Sequence, residues 1–157
     1  MLSNLHITKD WTLFLDRDGV INHEKKEDYI RNWSEFKFYT ESLKALPLLA
    51  QKFSRIIITT NQKGIGKGWM TDADLALIHD NMTNHIIELG GRIDAIFYCS
   101  DLDNESYNRK PQPGMAFQAK EQFPSIDFAK SIMVGNRMSD MEFGRNAGMH
   151  TVYLATT

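Results

Sequence analysis

Five short apolar runs are spaced along the chain, and they limit its possible folds more than any other feature. Each run is continuous rather than alternating with polar residues, and the run at 55–60, RIIITT, contains three consecutive isoleucines. Runs of this length and composition predict strands covered on both faces, which are typical of parallel sheets. The predicted strands are residues 11–16, 55–60, 93–99, 131–135 and 150–155.

Helical patterns fall between these runs. Residues 72–89 follow Thr71, a favourable helix-capping residue, and apolar residues recur there at steps of three and four up to Gly90. The other predicted helices are residues 41–53, 114–122 and 139–147. This alternation predicts an α/β fold with a doubly wound, mostly parallel five-stranded sheet. A length of 157 residues predicts one domain, residues 1–157.

Polar side chains follow the predicted strands at the points where the strands end. In doubly wound sheets, ligands bind outside the carboxyl ends of the strands, so these side chains are expected to gather at one edge. Groups able to hold a metal ion or a phosphate stand at each of these places. They are Asp16 after the first strand, Thr60 and Asn61 after the second, Arg109 and Lys110 in the segment after the third, and Asn136 and Asp140 after the fourth.

The stretch FLDRDGVIN ends the first strand on two carboxylates, Asp16 and Asp18. A single Asp at such a place is usually a turn or cap residue. Asp-x-Asp-Gly can also begin a calcium loop, and Glu27 has the spacing to close one. That interpretation is rejected, because Val20 and Ile21 occupy the middle of the loop and a strand, not a helix, precedes it.

Phosphoryl transfer gives each of the two carboxylates a separate task. Asp16 would attack phosphorus and form an acyl phosphate. Asp18 would lie on the same side of an extended backbone, where it could protonate the leaving oxygen and then deprotonate the attacking water. A divalent metal ion and a nearby ammonium would keep Asp16 ionised and offset the charge of the phosphoryl group.

Four short stretches in this order resemble the motifs of the haloacid dehalogenase superfamily of phosphatases, from residue 12 to the C-terminus. FLDRDGVIN is similar to the first motif, and the resemblance implies Asp16 as the nucleophile and Asp18 as the acid/base. IIITTNQ is similar to the second, with Thr60 binding the phosphoryl group, and RKPQPGM to the third, with Lys110 neutralising charge. MVGNRMSD is similar to the fourth.

The chain contains, in order, DRDGVIN, DYIRNWSEFKFY, TNQKGIGKGWM, FYCS and RKPQPGM. These stretches resemble subfamily IIIA, the subgroup of the D-glycero-D-manno-heptose 1,7-bisphosphate 7-phosphatases and the histidinol-phosphatase domain. By similarity, Asn61 and Lys67 would lie near the substrate phosphate, and Arg109 would reach the sugar or a second phosphate. Members of this subgroup are nearly capless. Here too only residues 22–40 and 99–113 are long enough to form substrate loops.

The resemblance also implies a Mg2+ cofactor, held by Asp16, the main-chain carbonyl of Asp18 and the fourth motif. In that motif Asn136 stands where the family usually has a metal-binding Asp, with Asp140 nearby. An amide oxygen can bind Mg2+ but adds no negative charge. We therefore expect weaker metal binding with activity retained.

Relatives in this subgroup often carry a zinc-binding loop of Cys-x-His followed by Cys-x-Cys-Arg-Lys-Pro. The corresponding segment here is CSDLDNESYNRKP, which keeps Cys99 alone and has Asn108 where a Cys would precede Arg109. Four tetrahedral ligands cannot be assembled from it. We expect no structural zinc.

The combined expectation is a Mg2+-dependent phosphomonoesterase acting on a sugar phosphate or bisphosphate, such as heptose 1,7-bisphosphate. Histidinol phosphate, a polynucleotide end or phosphotransfer remain alternatives, as does a non-catalytic phosphate-binding module. The net charge of −2 and the lack of a basic run argue against nucleic acid. We expect a small phosphorylated metabolite as the partner, and a monomer because short capless relatives favour one. We also expect no membrane association and a cytoplasmic location, because no export signal or membrane span is visible.

Two further expectations concern side chains outside these motifs. Aromatic residues in the segment 33–39 suggest a small hairpin packed over the site. His79 is assigned a structural or solvated place, without a part in the chemistry.

Overall fold

The computed structural model describes residues 4–156, and the five strands predicted from the sequence form one all-parallel sheet in the order β3-β2-β1-β4-β5. The fold class is therefore confirmed. Strand β1 lies at the centre, and β2 and β4 are its neighbours. The strands are β1 Thr12–Leu15, β2 Arg55–Asn61, β3 Ala95–Cys99, β4 Ser131–Gly135 and β5 His150–Tyr153.

The predicted helices form within one residue of their expected bounds, and a short helix joins them after β2. The helices are α1 Thr40–Lys52, α2 Lys63–Gly66, α3 Asp72–Glu88, α4 Gly114–Gln122 and α5 Met138–Ala147. Thr71 caps α3 as expected: its hydroxyl accepts the N–H of Asp74, whose carboxylate accepts the N–H of Thr71. Within residues 4–156, each helix is too short or too polar to cross a bilayer.

Apolar side chains cover the sheet on both faces, as the continuous runs predicted. Leu13 and Ile56 belong to one buried cluster, which also contains side chains of α1 and α3. Their chain neighbours Phe14 and Ile57 point to the opposite face and pack in a second cluster with α4 and α5. The sheet is thus the middle layer of three, and its carboxyl edge remains open for a site.

The expected aromatic hairpin is wrong. Residues Trp33–Glu35 form a single turn of 3-10 helix, and an isolated bridge joins Asn22 to Phe38 in place of a strand ladder. Trp33 stacks on Phe36, Phe38 meets both of these rings edge to face, and all three pack against the buried clusters. Burial of three large rings stabilises this segment more than a two-stranded ladder would.

Candidate active site

A cavity of about 470 Å³ opens at the carboxyl edge of the sheet, where β1, β2 and β4 end side by side. Two site residues predicted from the sequence, Thr60 and Asn136, are almost fully buried and lie outside its lining. The other predicted residues line the cavity: Asp16, Asp18, Asn61, Lys67, Arg109, Lys110 and Asp140. Side chains from four separate segments of the chain therefore meet at the place that the topology indicated.

Lys110 is the buried cation of this cavity. Its Nζ lies 2.9 Å from Asp16 Oδ1 and 2.7 Å from Asp140 Oδ1, and it donates to the main-chain oxygen of Thr59 at 2.8 Å. Burial lowers the pKa of Lys110, but the two carboxylates outweigh burial and raise it above its usual value. A charged ammonium therefore stands beside Asp16.

Asp16 has a carboxyl whose pKa is raised in the cavity. Burial is the main cause, and the charges of Asp140 and Asp18 add to it, so the pKa of Asp16 rises to about 7 in spite of Lys110. The main-chain N–H of Asp16 donates to Val134 at 3.0 Å, which fixes the end of β1 against β4. A further positive charge in the cavity would return Asp16 to full ionisation at neutral pH.

Asn136 brings a third oxygen-bearing group next to Asp16. One terminal atom of the Asn136 side-chain amide faces Asp16, and it lies 3.2 Å from Asp16 Oδ2 and 3.2 Å from the main-chain oxygen of Asp18. With its NH2 group turned to this side, the amide donates to both oxygens. With its carbonyl oxygen turned there, three oxygens converge, and this donor set fits Mg2+.

Gly19 makes this approach of Asn136 possible. The residue has φ of +90°, and a Cβ atom added to it would lie 2.0 Å from the Asn136 side chain. Both the backbone conformation and the lack of space require glycine here. The Gly in the Asp-x-Asp-Gly sequence is therefore part of the construction of the site.

Asp140 ties the turn after β4 to Lys110. Its Oδ2 accepts the main-chain N–H groups of Asn136 and Arg137, each at 3.1 Å, while Oδ1 pairs with Lys110. A Cβ atom on Gly135 would overlap Asp140, so this carboxylate packs directly against the turn. Both oxygens of Asp140 are thus engaged away from the oxygen group formed by Asp16, Asp18 and Asn136.

Asp18 is held by donors that differ between its two oxygens. Oδ1 accepts from Arg17 Nη2 at 2.7 Å, from Arg17 Nε at 3.3 Å and from Asn22 Nδ2 at 2.9 Å, while Oδ2 accepts from Gln62 Nε2 at 3.1 Å. Burial raises the pKa of Asp18, but Arg17, Asn22 and Gln62 outweigh it, and the pKa is lowered. The less occupied Oδ2 is the oxygen with capacity left for a proton.

Sequence reasoning missed Arg17, Asn22 and Gln62, the three residues that hold Asp18. Arg17 alternates with the two carboxylates, so its side chain points into the protein, where a charge needs partners. Gln62 lies two residues after Thr60, on the same side of an extended backbone. The inward position of Arg17 could have been inferred from the first motif, and the position of Gln62 from the second.

Thr60 and Asn61 contact protein groups that their expected roles did not include. Thr60 Oγ1 accepts from Gln62 at 2.9 Å, which leaves the Thr60 hydroxyl proton as a donor. Asn61 Oδ1 accepts the main-chain N–H of Lys110 at 3.1 Å, and Asn61 Nδ2 donates to the Lys110 carbonyl at 3.2 Å. Asn61 therefore fixes the backbone that presents Lys110.

Two of the cationic side chains that line the cavity, Lys67 and Arg109, were predicted from the sequence, and Lys25 and Arg137 also line it. Lys67 Nζ lies 4.5 Å from the centre of the Trp69 ring and 6.0 Å from that of Tyr29, which holds the ammonium in place. Arg109 lines the cavity, and its Nη1 is buried without a hydrogen-bond partner among the described residues. An anionic or hydroxylated group in the cavity would satisfy this donor.

His79 lies beneath the cavity rather than in it, and it is buried at 7% exposure on α3. Its Nε2 is 3.1 Å from Arg17 Nη1. Burial and the charge of Arg17 lower the pKa of His79 to about 3, although Asp18 acts in the opposite direction. His79 is therefore neutral at physiological pH.

This low pKa predicts a contribution of His79 to acid sensitivity. Between about pH 6.5 and pH 3 the unfolded chain binds a proton that the folded protein excludes, so the contribution of His79 to stability falls as pH falls. The difference in free energy of unfolding between parent and His79→Gln should change by about 2 kcal/mol from pH 7.5 to pH 5. Urea unfolding at both pH values measures it, and a constant difference would contradict the prediction.

Comparisons with known proteins agree with this geometry. A model of the polynucleotide kinase 3 phosphatase family matches residues 11–151, a range that contains all predicted site residues. D-glycero-alpha-D-manno-heptose-1,7-bisphosphate 7-phosphatase of Mycobacterium bovis is 36% identical over 137 residues, covering 87% of this chain and 72% of that protein. The enzyme of the same name from Photorhabdus laumondii is 36% identical over 152 residues, covering 92% and 81%.

The fold is shared with a solved structure at comparable identity. The crystal structure of D,D-heptose 1,7-bisphosphate phosphatase from B. bronchiseptica, complexed with magnesium and phosphate, has a TM-score of 0.83 and 31% sequence identity. The superposition covers 90% of this chain and 78% of that one. The sequence identities, the shared fold and the geometry of the site therefore agree with one another.

Proposed function

Because this chain belongs to the polynucleotide kinase 3 phosphatase family, within the haloacid dehalogenase phosphatases, and is itself a phosphatase, we propose that Asp16 is its nucleophile and that a sugar bisphosphate is its substrate. One observation carries the proposal. The buried Asp16 carboxylate stands between the Lys110 ammonium, at 2.9 Å, and the group formed by the Asn136 amide and the main-chain oxygen of Asp18. A carboxylate between two positions for positive charge is suited to attack a phosphate ester.

The proposed reaction has two steps. In the first, Asp18, whose pKa is lowered in the free protein, takes up a proton at Oδ2 beside the anionic phosphoryl group. An Asp16 oxygen then attacks phosphorus, the ester bond to the leaving oxygen breaks, and Asp18 Oδ2 delivers its proton to that oxygen. In the second, Asp18 Oδ2 takes a proton from water, which attacks the phosphorus of the aspartyl phosphate and frees Asp16. Thr60 and Lys110 are proposed to stabilise the phosphoryl oxygens.

Mg2+ is the proposed cofactor, held by Asp16 Oδ2, the main-chain oxygen of Asp18 and the amide oxygen of Asn136. When bound, the ion offsets the negative charge of the phosphoryl group facing Asp16. Asp140, first expected among the metal ligands, is proposed instead to hold Lys110 and the turn after β4, since both of its oxygens are engaged there.

Replacing Asn136 by Asp should strengthen Mg2+ binding. The new carboxylate adds a full charge to the oxygen group, and it cannot donate to Asp16 and Asp18 as the amide does without metal. We expect a dissociation constant lower by on the order of tenfold, about 1.4 kcal/mol. Calorimetric titration with Mg2+ measures it, with Asn84→Asp at an exposed position of α3 as the control. Equal affinity in parent and Asn136→Asp would show that Asn136 is not a ligand.

The substrate proposal draws on the named relatives and on the rim of the cavity. Those relatives are called heptose-1,7-bisphosphate phosphatases, and such a substrate carries a second phosphate. Lys67 and Arg109 supply two cations at the rim, and Arg109 Nη1 is a buried donor without a partner there. We propose that Arg109 binds the second phosphate or the sugar hydroxyls. Lys67 and Asn61 are proposed to contact the phosphate that reacts.

A polynucleotide end is the second candidate, because the matching family model carries that description. The rim argues against it. Glu24, Glu27 and Asp28 also line the cavity, and the chain has a net charge of −2. Carboxylates at the entrance repel a polyanion but can accept hydrogen bonds from sugar hydroxyls.

A panel of phosphate esters, assayed with Mg2+ and with EDTA, tests the proposed substrate. It contains heptose 1,7-bisphosphate, heptose 7-phosphate, histidinol phosphate, 4-nitrophenyl phosphate and a 3'-phosphorylated oligonucleotide. We expect kcat/KM to be highest for the bisphosphate, by on the order of 100-fold over the aryl ester. Arg109→Gln should reduce the bisphosphate value and leave the monophosphate value nearly unchanged. A preference for histidinol phosphate or the oligonucleotide would replace the sugar assignment, and turnover in EDTA would refute the cofactor.

We also propose that residues 1–157 act as one capless domain and as a monomer on a small metabolite. Light scattering coupled to size exclusion measures the oligomeric state. The expectation of no structural zinc stays a prediction, and metal analysis of the purified protein tests it. One equivalent of zinc bound near Cys99 would contradict it.

A further inference from the structure

Arg17 lies directly below Asp18 and needs a partner on each side of its guanidinium. The residue is fully buried, at 0% exposure. Nε and Nη2 donate to Asp18 Oδ1, Nη1 faces His79, and the Phe36 ring lies 5.8 Å from the central carbon. A guanidinium only donates hydrogen bonds, so His79 Nε2 accepts this one and Nδ1 carries the ring proton. The bond to Arg17 thus selects a neutral His79 in one tautomer.

We propose that His79 is a positioning residue for the reaction, acting through Arg17 to hold the carboxylate of Asp18 in the orientation needed for proton transfer. His79 is outside the cavity lining and cannot touch the substrate. The inference rests on the proposed function of Asp18 as the acid/base. Nothing in the reaction steps above requires a histidine, so this adds a residue to the machinery.

The planarity of the guanidinium explains how His79 reaches Asp18. Because the nitrogens of Arg17 lie in one plane, an acceptor for Nη1 fixes the direction of Nε and Nη2. Those two nitrogens both donate to Asp18 Oδ1, whereas Gln62 Nε2 donates to Oδ2 at 3.1 Å. Without the His79 acceptor, Nη1 would be a buried donor without a partner, and the guanidinium would turn to relieve it.

Proton transfer to the leaving oxygen is the step that this orientation serves. Alkyl leaving groups need that proton, whereas 4-nitrophenolate leaves readily without it. Loss of His79 should therefore affect alkyl phosphates more than aryl phosphates. A substitution that only destabilised the fold would lower kcat/KM for both esters by the same factor. The ratio of kcat/KM for the two esters separates these cases, because kcat/KM reports the first chemical step.

The test measures kcat/KM for hexose 6-phosphate and 4-nitrophenyl phosphate in a set of variants. His79→Leu keeps the volume but removes the acceptor, and we expect on the order of tenfold loss for the hexose phosphate with less than twofold loss for the aryl ester. His79→Gln returns an acceptor and should restore most of the activity. Ile86→Val, a buried change on the same helix, is the control for loss of stability alone.

Several outcomes decide the inference. Equal losses for both esters in His79→Leu, or a Gln variant as impaired as Leu, would overturn it. If His79→Leu does not fold, His79→Asn takes its place, because its shorter side chain cannot reach Arg17. Asp18→Asn must also lower kcat/KM for the hexose phosphate more than for the aryl ester. If Asp18→Asn lowers both equally, Asp18 is not the acid, and both the proposed function of Asp18 and this inference fail. If Asp18→Asn changes the ratio of the two values and His79→Leu does not, only the role of His79 fails.

Discussion

Replacing Asp16 by Asn is expected to lower kcat by about 1,000-fold or more, with the fold intact. The amide has nearly the shape of the carboxylate and can still accept from Lys110, which is 2.9 Å away. It has no negative oxygen with which to attack phosphorus, so the aspartyl phosphate cannot form. The first step of the proposed reaction is removed while the surrounding contacts remain.

The same substitution is expected to stabilise the metal-free protein at alkaline pH. Burial raises the pKa of Asp16 from 3.8 to about 7, so between these values the folded protein holds a proton that the unfolded chain has lost. The contribution of Asp16 to stability therefore falls as pH rises through about 7. Above that pH, in EDTA, the free energy of unfolding of Asp16→Asn should exceed that of the parent by up to roughly 4 kcal/mol.

Phosphate release in the presence of Mg2+ and urea unfolding in EDTA, both at pH 8, measure the two effects on one protein preparation. Rapid acid quench followed by mass spectrometry should find a phosphorylated peptide containing residue 16 in the parent and none in Asp16→Asn. Asp10→Asn, an exposed carboxylate paired with Lys130, is the matched control and should leave turnover unchanged. An Asp16→Asn protein with parental turnover would remove the nucleophile from the proposal.

Replacing Lys110 by Met should impair both folding stability and catalysis. The ammonium lies between the buried carboxylates of Asp16 and Asp140, and its removal leaves two buried acids without their cation. Breaking a buried ion pair by deleting one partner costs about 3–5 kcal/mol. We expect this loss above pH 7, where Asp16 is ionised, and a smaller loss near pH 5, where it takes up a proton.

Catalysis in Lys110→Met should fall by about 1,000-fold, because no cation remains opposite the metal position to stabilise the phosphoryl oxygens. Denaturant unfolding at pH 5 and pH 8, with phosphate release at pH 7, gives both values. Lys130→Met removes a surface ion pair of the same two residue types and should cost about 1 kcal/mol or less. Equal costs for the two lysines would contradict a special role for Lys110.

The sequence was sufficient for the sheet and for where its site lies. RIIITT and the other apolar runs are continuous because β2 and its neighbours are covered on both faces. Each run ends on polar residues, and all strands are parallel, so Asp16, Asn61 and Asn136 had to meet at one edge. These are local patterns combined with one rule of topology.

The segments without regular periodicity were poorly predicted. Residues 33–39 alternate enough to suggest strands, yet Trp33, Phe36 and Phe38 instead collect against the core. An isolated two-stranded hairpin has little stability of its own, so burial of the rings decided the conformation.

The sequence alone determined which chemical groups reach the carboxyl edge of the sheet, since strand ends and motif order are encoded locally. Tertiary structure alone decided how those groups are held. Arg17 meets His79 across 62 positions of the chain, and Asn61 meets Lys110 across 49. Such bonds depend on how helices and loops pack against the sheet, and a buried donor accepts whichever partner that packing brings within reach.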